Sequence, residues 1–290
     1  MVGRTCAVRT LRRGRPGSLG PALVFLSFTL LSSFGIRNES KAHEPGTERK
    51  VLKIAAASDL QFALNEIISH FKSAELSVTY GSSGNLAAQF MQKAPFDLFL
   101  SADSSYSKKL VEEGLALSKD EFFYAVGRIG LWMPNTSTID MSKGMAILLD
   151  SAVRKIAIAN PAHAPYGKAA IAALKSARVA GVPDLYEAVK NKLVFAENIG
   201  QAAQFVQSGA AQVGILAMGL IMAPQMKQTG KYWIVPQSTY PRMDQAGVIL
   251  KATKDRQEAD EFKEFLLSPE AQTILESYGF SPPPFQSVPL

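Results

Sequence analysis

Four short stretches carry the residues of this chain best suited to chemistry: Ser58, Ser82-Ser83-Gly84, Pro165-Tyr166-Gly167 and Asn198-Ile199-Gly200. Each follows an apolar run and precedes residues at helical spacing, so each falls where a strand hands over to a helix. The start of a helix has backbone N–H groups with no acceptor inside the helix, together with the positive end of its dipole. Serine hydroxyls beside such starts add donors, and the combination holds an anion without any lysine or arginine. Serines also cap helices in ordinary α/β proteins, so the pattern alone leaves both readings open.

Other chemistries find little support. A hydrolase needs a nucleophile, a base and an acid that orients the base. Gly81-Ser82-Ser83-Gly84 is not a nucleophile elbow, and the two S-x-x-K matches, Ser69–Lys72 and Ser105–Lys108, fall inside helical stretches without their companion motifs. The histidines are His43, His70 and His163. His43 precedes the first strand, and His70 lies one position off an apolar helix face. His163 sits in a candidate ligand loop, where holding the loop suits it better than catalysis or metal binding. Asp97 and Asp103 flank a strand end, and capping and lobe-to-lobe hydrogen bonds suit them better than a cation. No phosphate-binding loop, dinucleotide fingerprint or H-E-x-x-H motif occurs. The expectation is a binding protein and not an enzyme, with no catalytic residue and no cofactor.

At the N-terminus, Arg4, Arg9, Arg12, Arg13 and Arg15 precede the apolar run Ala22–Ile36, and Ser40-Lys41-Ala42 follows as a cleavage site. The run is shorter than the roughly 20 residues of a membrane span, so residues 1–42 read as a signal peptide and the mature protein as periplasmic. The whole chain holds 31 Lys/Arg and 25 Asp/Glu; residues 1–42 take seven and one of these, leaving 24 of each. A neutral mature chain offers no basic field for nucleic acid or an anionic membrane. Cys6 leaves with the signal, so no disulfide or thiolate site remains.

The elements that must position the four corners follow from periodicity. Val51–Ala57 is a buried strand, with Leu60, Leu64, Ile67, Ile68 and Phe71 on a helix after Ser58 acting as its N-cap. Leu76–Tyr80 and Phe96–Leu100 are further strands, each followed by a helix. Phe122–Met133 crosses to a second half. There, strands at Lys155–Ala159, Leu193–Ala196 and Gln212–Met218 alternate with helices at Lys168–Arg178, Leu185–Asn191 and Gln201–Gln207. Ala246–Leu250 returns as a strand, Glu258–Tyr278 is helical with a break at Ser268-Pro269, and Phe285–Leu290 is a loose tail. Strands alternating with helices imply α/β lobes with mostly parallel sheets flanked by helices. In such sheets ligands sit beyond the carboxyl ends of the strands, which lets all four corners face one crevice.

At these residues the chain resembles a known family. AAASDL at Ala55–Leu60, YGSSGNLA at Tyr80–Ala87, APFDLFLSAD at Ala94–Asp103, NPAHAPYGKAA at Asn160–Ala170, AENIGQA at Ala196–Ala202, VGIL at Val213–Leu216 and the ending SPEAQTILESYGF are similar to the periplasmic molybdate-binding proteins of ABC importers. The resemblance runs in order over about residues 51–280. It implies a two-lobed periplasmic binding protein of type II, hinged by crossing strands, with 43–128 plus 246–290 as one lobe and 129–245 as the other. It implies capture of molybdate, and of tungstate, for a membrane permease, by a monomer. A binder of the same fold for sulfate or another small anion is the alternative. Carried over by motif, the oxyanion contacts are Ser58 and Ser83 through hydroxyl and N–H, and Tyr166 and Ile199 through N–H. Some members have a tyrosine after the G-I-V segment whose hydroxyl meets the oxyanion. That position is Ala217 here, and the Tyr166 hydroxyl stands as either its replacement or a bystander. The lobes are expected to close about hinges near Gly127–Leu131 and Asp244–Val248. Such a site, made of donors alone, would penalise hydrogen phosphate, whose own O–H needs an acceptor.

Overall fold

The uncharged run after Lys53 forms β1 (Val51–Ala57), the central strand of the parallel part of its sheet. In the computed structural model, residues 51–283 are described. The signal peptide read at residues 1–42, the leader 43–50 with His43, and the tail at 285–290 lie outside the described residues. After β1 the chain turns through one 3-10 turn, Ser58–Leu60, into α1 (Gln61–His70), which buries Ala63, Leu64 and Ile67. Then come β2 (Glu75–Gly81), α2 (Ser83–Met91), β3 (Leu98–Ser101), α3 (Ser104–Glu112) and β4 (Ala116–Gly127).

One residue, Arg128, separates β4 from β5 (Ile129–Pro134), which belongs to the other sheet. That sheet adds β6 (Ile156–Ala159), then α4 (Pro165–Ser176), α5 (Leu185–Val189), β7 (Leu193–Ala196), α6 (Ile199–Gln207) and β8 (Val213–Ala217). Two short helices, α7 (Met218–Ile221) and α8 (Pro224–Thr229), lead to β9 (Gly230–Ile234). β10 (Met243–Leu250) returns to the first sheet, and α9 (Arg256–Leu266) and α10 (Pro269–Ser277) pack behind it.

The two sheets share one plan, β2-β1-β3-β10-β4 and β7-β6-β8-β5-β9. In each, the first three strands are parallel, the fourth runs against them, and the fifth pairs antiparallel with the fourth and so runs with the first three. The sheets are therefore mixed, flanked by helices, and the parallel triplet in each carries the corners. The strands that run against the triplets are β10 and β5, each of which arrives from the opposite sheet.

Element starts differ from expectation where corner residues proved to be helical. α4 begins at Pro165 and α6 at Ile199, whereas the sequence pattern suggests Lys168 and Gln201. Proline suits the first helical position because its missing N–H is not needed there, and the Asn198 side chain caps α6 by accepting the Gln201 N–H at 3.0 Å. The stretch 218–234 gives no readable period, since α7 is four residues long and β9 is half exposed on an edge.

Candidate functional site

The four corners meet. A small cavity of about 10 Å³ is lined by residues 57–59, 81–83, 102, 164–166 and 199. Ser58 follows β1, Ser82-Ser83 follow β2, Pro165-Tyr166 open the helix after β6, and Ile199 opens the helix after β7. Each of the four residues expected from the sequence, Ser58, Ser83, Tyr166 and Ile199, lines it. No lysine, arginine or histidine does. A larger cleft at the opposite end of β1, lined by Val51, Lys53, Phe90 and Phe96 among others, has no converging helix starts.

Local geometry sets what each residue offers. Ser83 is the first residue of α2, Ile199 the first of α6 and Tyr166 the second of α4, so their N–H groups lie in first turns, where the helix supplies no acceptor. The Ser83 hydroxyl accepts the Ala102 N–H at 3.0 Å, and the Ser58 hydroxyl accepts the Gly200 N–H at 3.3 Å. A hydroxyl that accepts from protein still has its own proton to donate. Ser58 makes no side-chain cap bond, contrary to expectation, because the chain enters a 3-10 turn there and the hydroxyl reaches across to the start of α6.

The open question about the Tyr166 hydroxyl has a clear answer. It donates to Asp59 Oδ2 at 2.8 Å and accepts from Gln245 Nε2 at 3.0 Å, while Gln245 Nε2 also donates to Asp59 Oδ2 at 2.7 Å. That leaves the backbone N–H as the group Tyr166 can turn to a ligand. Asp59 is wholly buried, and burial pushes its carboxyl up to about 6, against hydrogen bonds from Gln245 and Tyr166 that pull it down. Burial, with the Asp59 charge beside it, holds the Tyr166 hydroxyl well above its usual range. The expectation of a lining made of donors alone therefore fails at Asp59, an acceptor on the cavity wall. Sequence reasoning missed Asp59 and Gln245. A carboxylate two residues past the end of a buried strand, in the turn before an apolar helix face, was the available signal for Asp59; Gln245 had none.

Beside the cavity the two sheets are clasped by polar contacts. Gly84 N–H donates to His163 O at 2.9 Å, and the Ser82 hydroxyl pairs with His163 Nδ1 at 3.0 Å. Asn85 donates to Glu197, whose Oε2 is 3.7 Å from His163 Nε2. His163 thus holds its loop as expected, and holds it against the opposite half. It also supplies a ring nitrogen to a serine that the sequence leaves without a base. The 3.7 Å gap to Glu197 is too long for the hydrogen bond that would orient such a base. Asp103 caps α3 through the Ser105 N–H at 2.8 Å. Asp97 joins Lys53 N–H and the Thr253 hydroxyl, both at 2.8 Å, within the first sheet's side and not between lobes. Among the described residues no cluster of three or more His, Cys, Asp or Glu could hold a metal, and no helix is long and apolar enough to cross a membrane.

Residues 52–281 match the family described as bacterial extracellular solute-binding protein. The molybdate-binding protein ModA of Rhodobacter capsulatus is 39% identical over 206 residues, covering 70% of this chain and 77% of the relative. ModA of Azotobacter vinelandii is 33% identical over 232 residues, covering 79% of this chain and 89% of the relative. The solved structure of the Azotobacter vinelandii periplasmic molybdate-binding protein superposes with a TM-score of 0.73 at 32% identity, covering 80% of this chain and 99% of that one.

Proposed function

The chain belongs to the bacterial extracellular solute-binding protein family, and on that footing we propose that it captures molybdate and delivers it to the permease of an ABC importer. Tungstate, of the same charge and shape, is a second ligand. The observation that carries this reading is the convergence of four strand-to-helix corners on one small cavity with no cationic side chain in its lining. The named relatives support molybdate as the particular ion.

In this reading Ser58 and Ser83 give hydroxyl and N–H to the oxyanion, and Tyr166 and Ile199 give N–H. These groups contact oxygen, and no protein atom binds the metal. Hydrogen bonds to a charged acceptor are worth roughly 1.5–3 kcal/mol each, so four or more reach the ~8 kcal/mol of micromolar binding. Desolvating the dianion and closing the lobes oppose that sum. The lobes divide as 43–128 plus 246–290 and 129–245, and a monomer suffices because one chain supplies every corner. Export by residues 1–42 delivers it to the periplasm, where it binds and releases without chemistry and without a cofactor.

Competition calorimetry with molybdate, tungstate, sulfate and phosphate tests the proposal. Molybdate and tungstate should each saturate one site and displace one another, with sulfate far weaker. Preference for sulfate, or no heat with molybdate, overturns it.

A further inference from the structure

Asp59, Tyr166 and Gln245 come from three separate segments and meet beside the cavity. Their donors are fully spent: the Tyr166 O–H goes to Asp59 Oδ2, and Gln245 Nε2 serves both Asp59 Oδ2 and the Tyr166 oxygen. Two acceptors, Asp59 Oδ1 and Gln245 Oε1, remain buried with no hydrogen bond from another residue, and only the Asp59 backbone N–H lies beside its own carboxyl. Buried acceptors without donors are costly, and a buried carboxylate with no cation is more so. Asp59 Oδ1 has no donor among the three side chains, and Asp59 and Tyr166 line the space proposed for a doubly charged anion.

We propose that Asp59 couples anion binding at this site to proton uptake: the anion enters together with one proton, which neutralises the Asp59 carboxyl at Oδ1. This inference rests on reading the cavity as an oxyanion site. The balance is one carboxylate, one proton from solvent and one dianion, giving a carboxylic acid beside a bound dianion; no bond of the ligand changes. Without that proton, two like charges would share a desolvated space with no cation between them, which favours protonation of one partner. With it, Oδ1 turns from an orphan acceptor into a donor. Burial already lifts the carboxyl to about 6 in the absence of ligand, against the hydrogen bonds from Gln245 and Tyr166.

Beside the cavity His163, paired with Ser82, is a second ionisable group, and the Asp59→Asn variant separates it from Asp59. Tyr166 on α4 and Tyr124 on β4 face Asp59, and both are pushed well above the usual tyrosine range, so they stay neutral. Gln245 on β10 carries no charge. On α1, Glu66 is engaged by the Tyr278 hydroxyl and His70 by Glu270. The other helices packed on the 3-10 turn, α6 and α7, bring no ionisable side chain.

The test is calorimetric titration of the whole mature protein with molybdate, sulfate and phosphate, each alone, from about pH 5.5 to about pH 8.5 in buffers of different ionisation heat. The wild type should take up close to one proton per anion at the alkaline end, with affinity falling roughly tenfold per pH unit above the Asp59 titration. Asp59→Asn should bind with no proton uptake and a flat profile, and more tightly than wild type at the alkaline end. A merely structural role for Asp59 predicts the reverse, weaker binding at every pH. Tyr166→Phe keeps the ring and the backbone N–H but removes a donor to Asp59, so the fall in affinity should begin at higher pH. It serves as the independent variant if Asp59→Asn does not fold. Molybdate binding by wild type with no proton uptake overturns this inference and leaves the molybdate reading intact. Proton-coupled binding of sulfate or phosphate but not molybdate does the opposite, and no binding of any of the three overturns both.

Discussion

At the scale of single residues, the serines of the site hold two roles in one hydroxyl. The Ser83 oxygen accepts the Ala102 N–H, and its proton is left for a ligand. Ser83→Ala should therefore weaken molybdate binding by about 10- to 100-fold, as expected for losing one charge-assisted hydrogen bond of ~1.5–3 kcal/mol. Ser58→Ala should do the same while leaving the circular dichroism spectrum and melting temperature nearly unchanged. Calorimetry is the measurement, and wild-type titration curves from both variants would remove these serines from the site. Tyr166 works differently: its hydroxyl is committed to Asp59, which leaves its backbone N–H as the group proposed for the ligand. The serines were legible in the sequence because a hydroxyl at a strand-to-helix corner is a local pattern. The Tyr166 commitment was not, because its partner lies 107 residues away.

At the scale of elements, helix starts are what the fold delivers to the cavity, and what holds the outer helices in place is separate. α9 is tied to β4 by Arg256, whose guanidinium donates to both oxygens of Asp120 at 2.6 and 3.0 Å and also reaches Asp260. The Asp120 side chain is almost wholly covered, and the Arg256 guanidinium holds its carboxyl below the usual range. A depressed carboxyl contributes stability that is complete above its unfolded value and is lost as pH falls through its folded one. Arg256→Ala should cost about 1–3 kcal/mol near neutrality, discounted because the arginine is itself partly exposed, and the deficit should shrink in acid as Asp120 protonates. Urea melts at neutral and strongly acidic pH measure this. A deficit unchanged between them would rule out the ion pair as its cause. β1, β2, β7 and the first turns were legible from period and burial; β9 and α7 were too short or too exposed to leave a period.

For the whole molecule, the cavity exists only while both halves contribute. Gly84 brings α2 against the loop of His163 so closely that a side chain there would place its Cβ 2.5 Å from the His163 carbonyl oxygen. We predict that the lobes, hinged near Gly127–Leu131 and Asp244–Val248, open without ligand and close upon it. Small-angle scattering of wild type should then show a smaller radius of gyration with saturating molybdate, and Gly84→Ala should show no decrease and weaker binding. An unchanged wild-type radius with ligand bound would sink the hinge.

The strands of the two parallel triplets, the presence of a corner and a helix after four of them, and the neutral balance of the chain after residue 42 were all determined by local sequence. Hydrophobic period reports which face of a segment is covered, and it does so within a few residues. That Asp59 would meet Tyr166 and Gln245, at separations of 107 and 186 residues, was decided only by the tertiary structure. Sheet order and the return of β10 from the other half bring those side chains together, and no local period records that crossing. The same assembly withholds water and cations from the Asp59 carboxyl, so its chemistry is a property of the folded pocket and not of the residue.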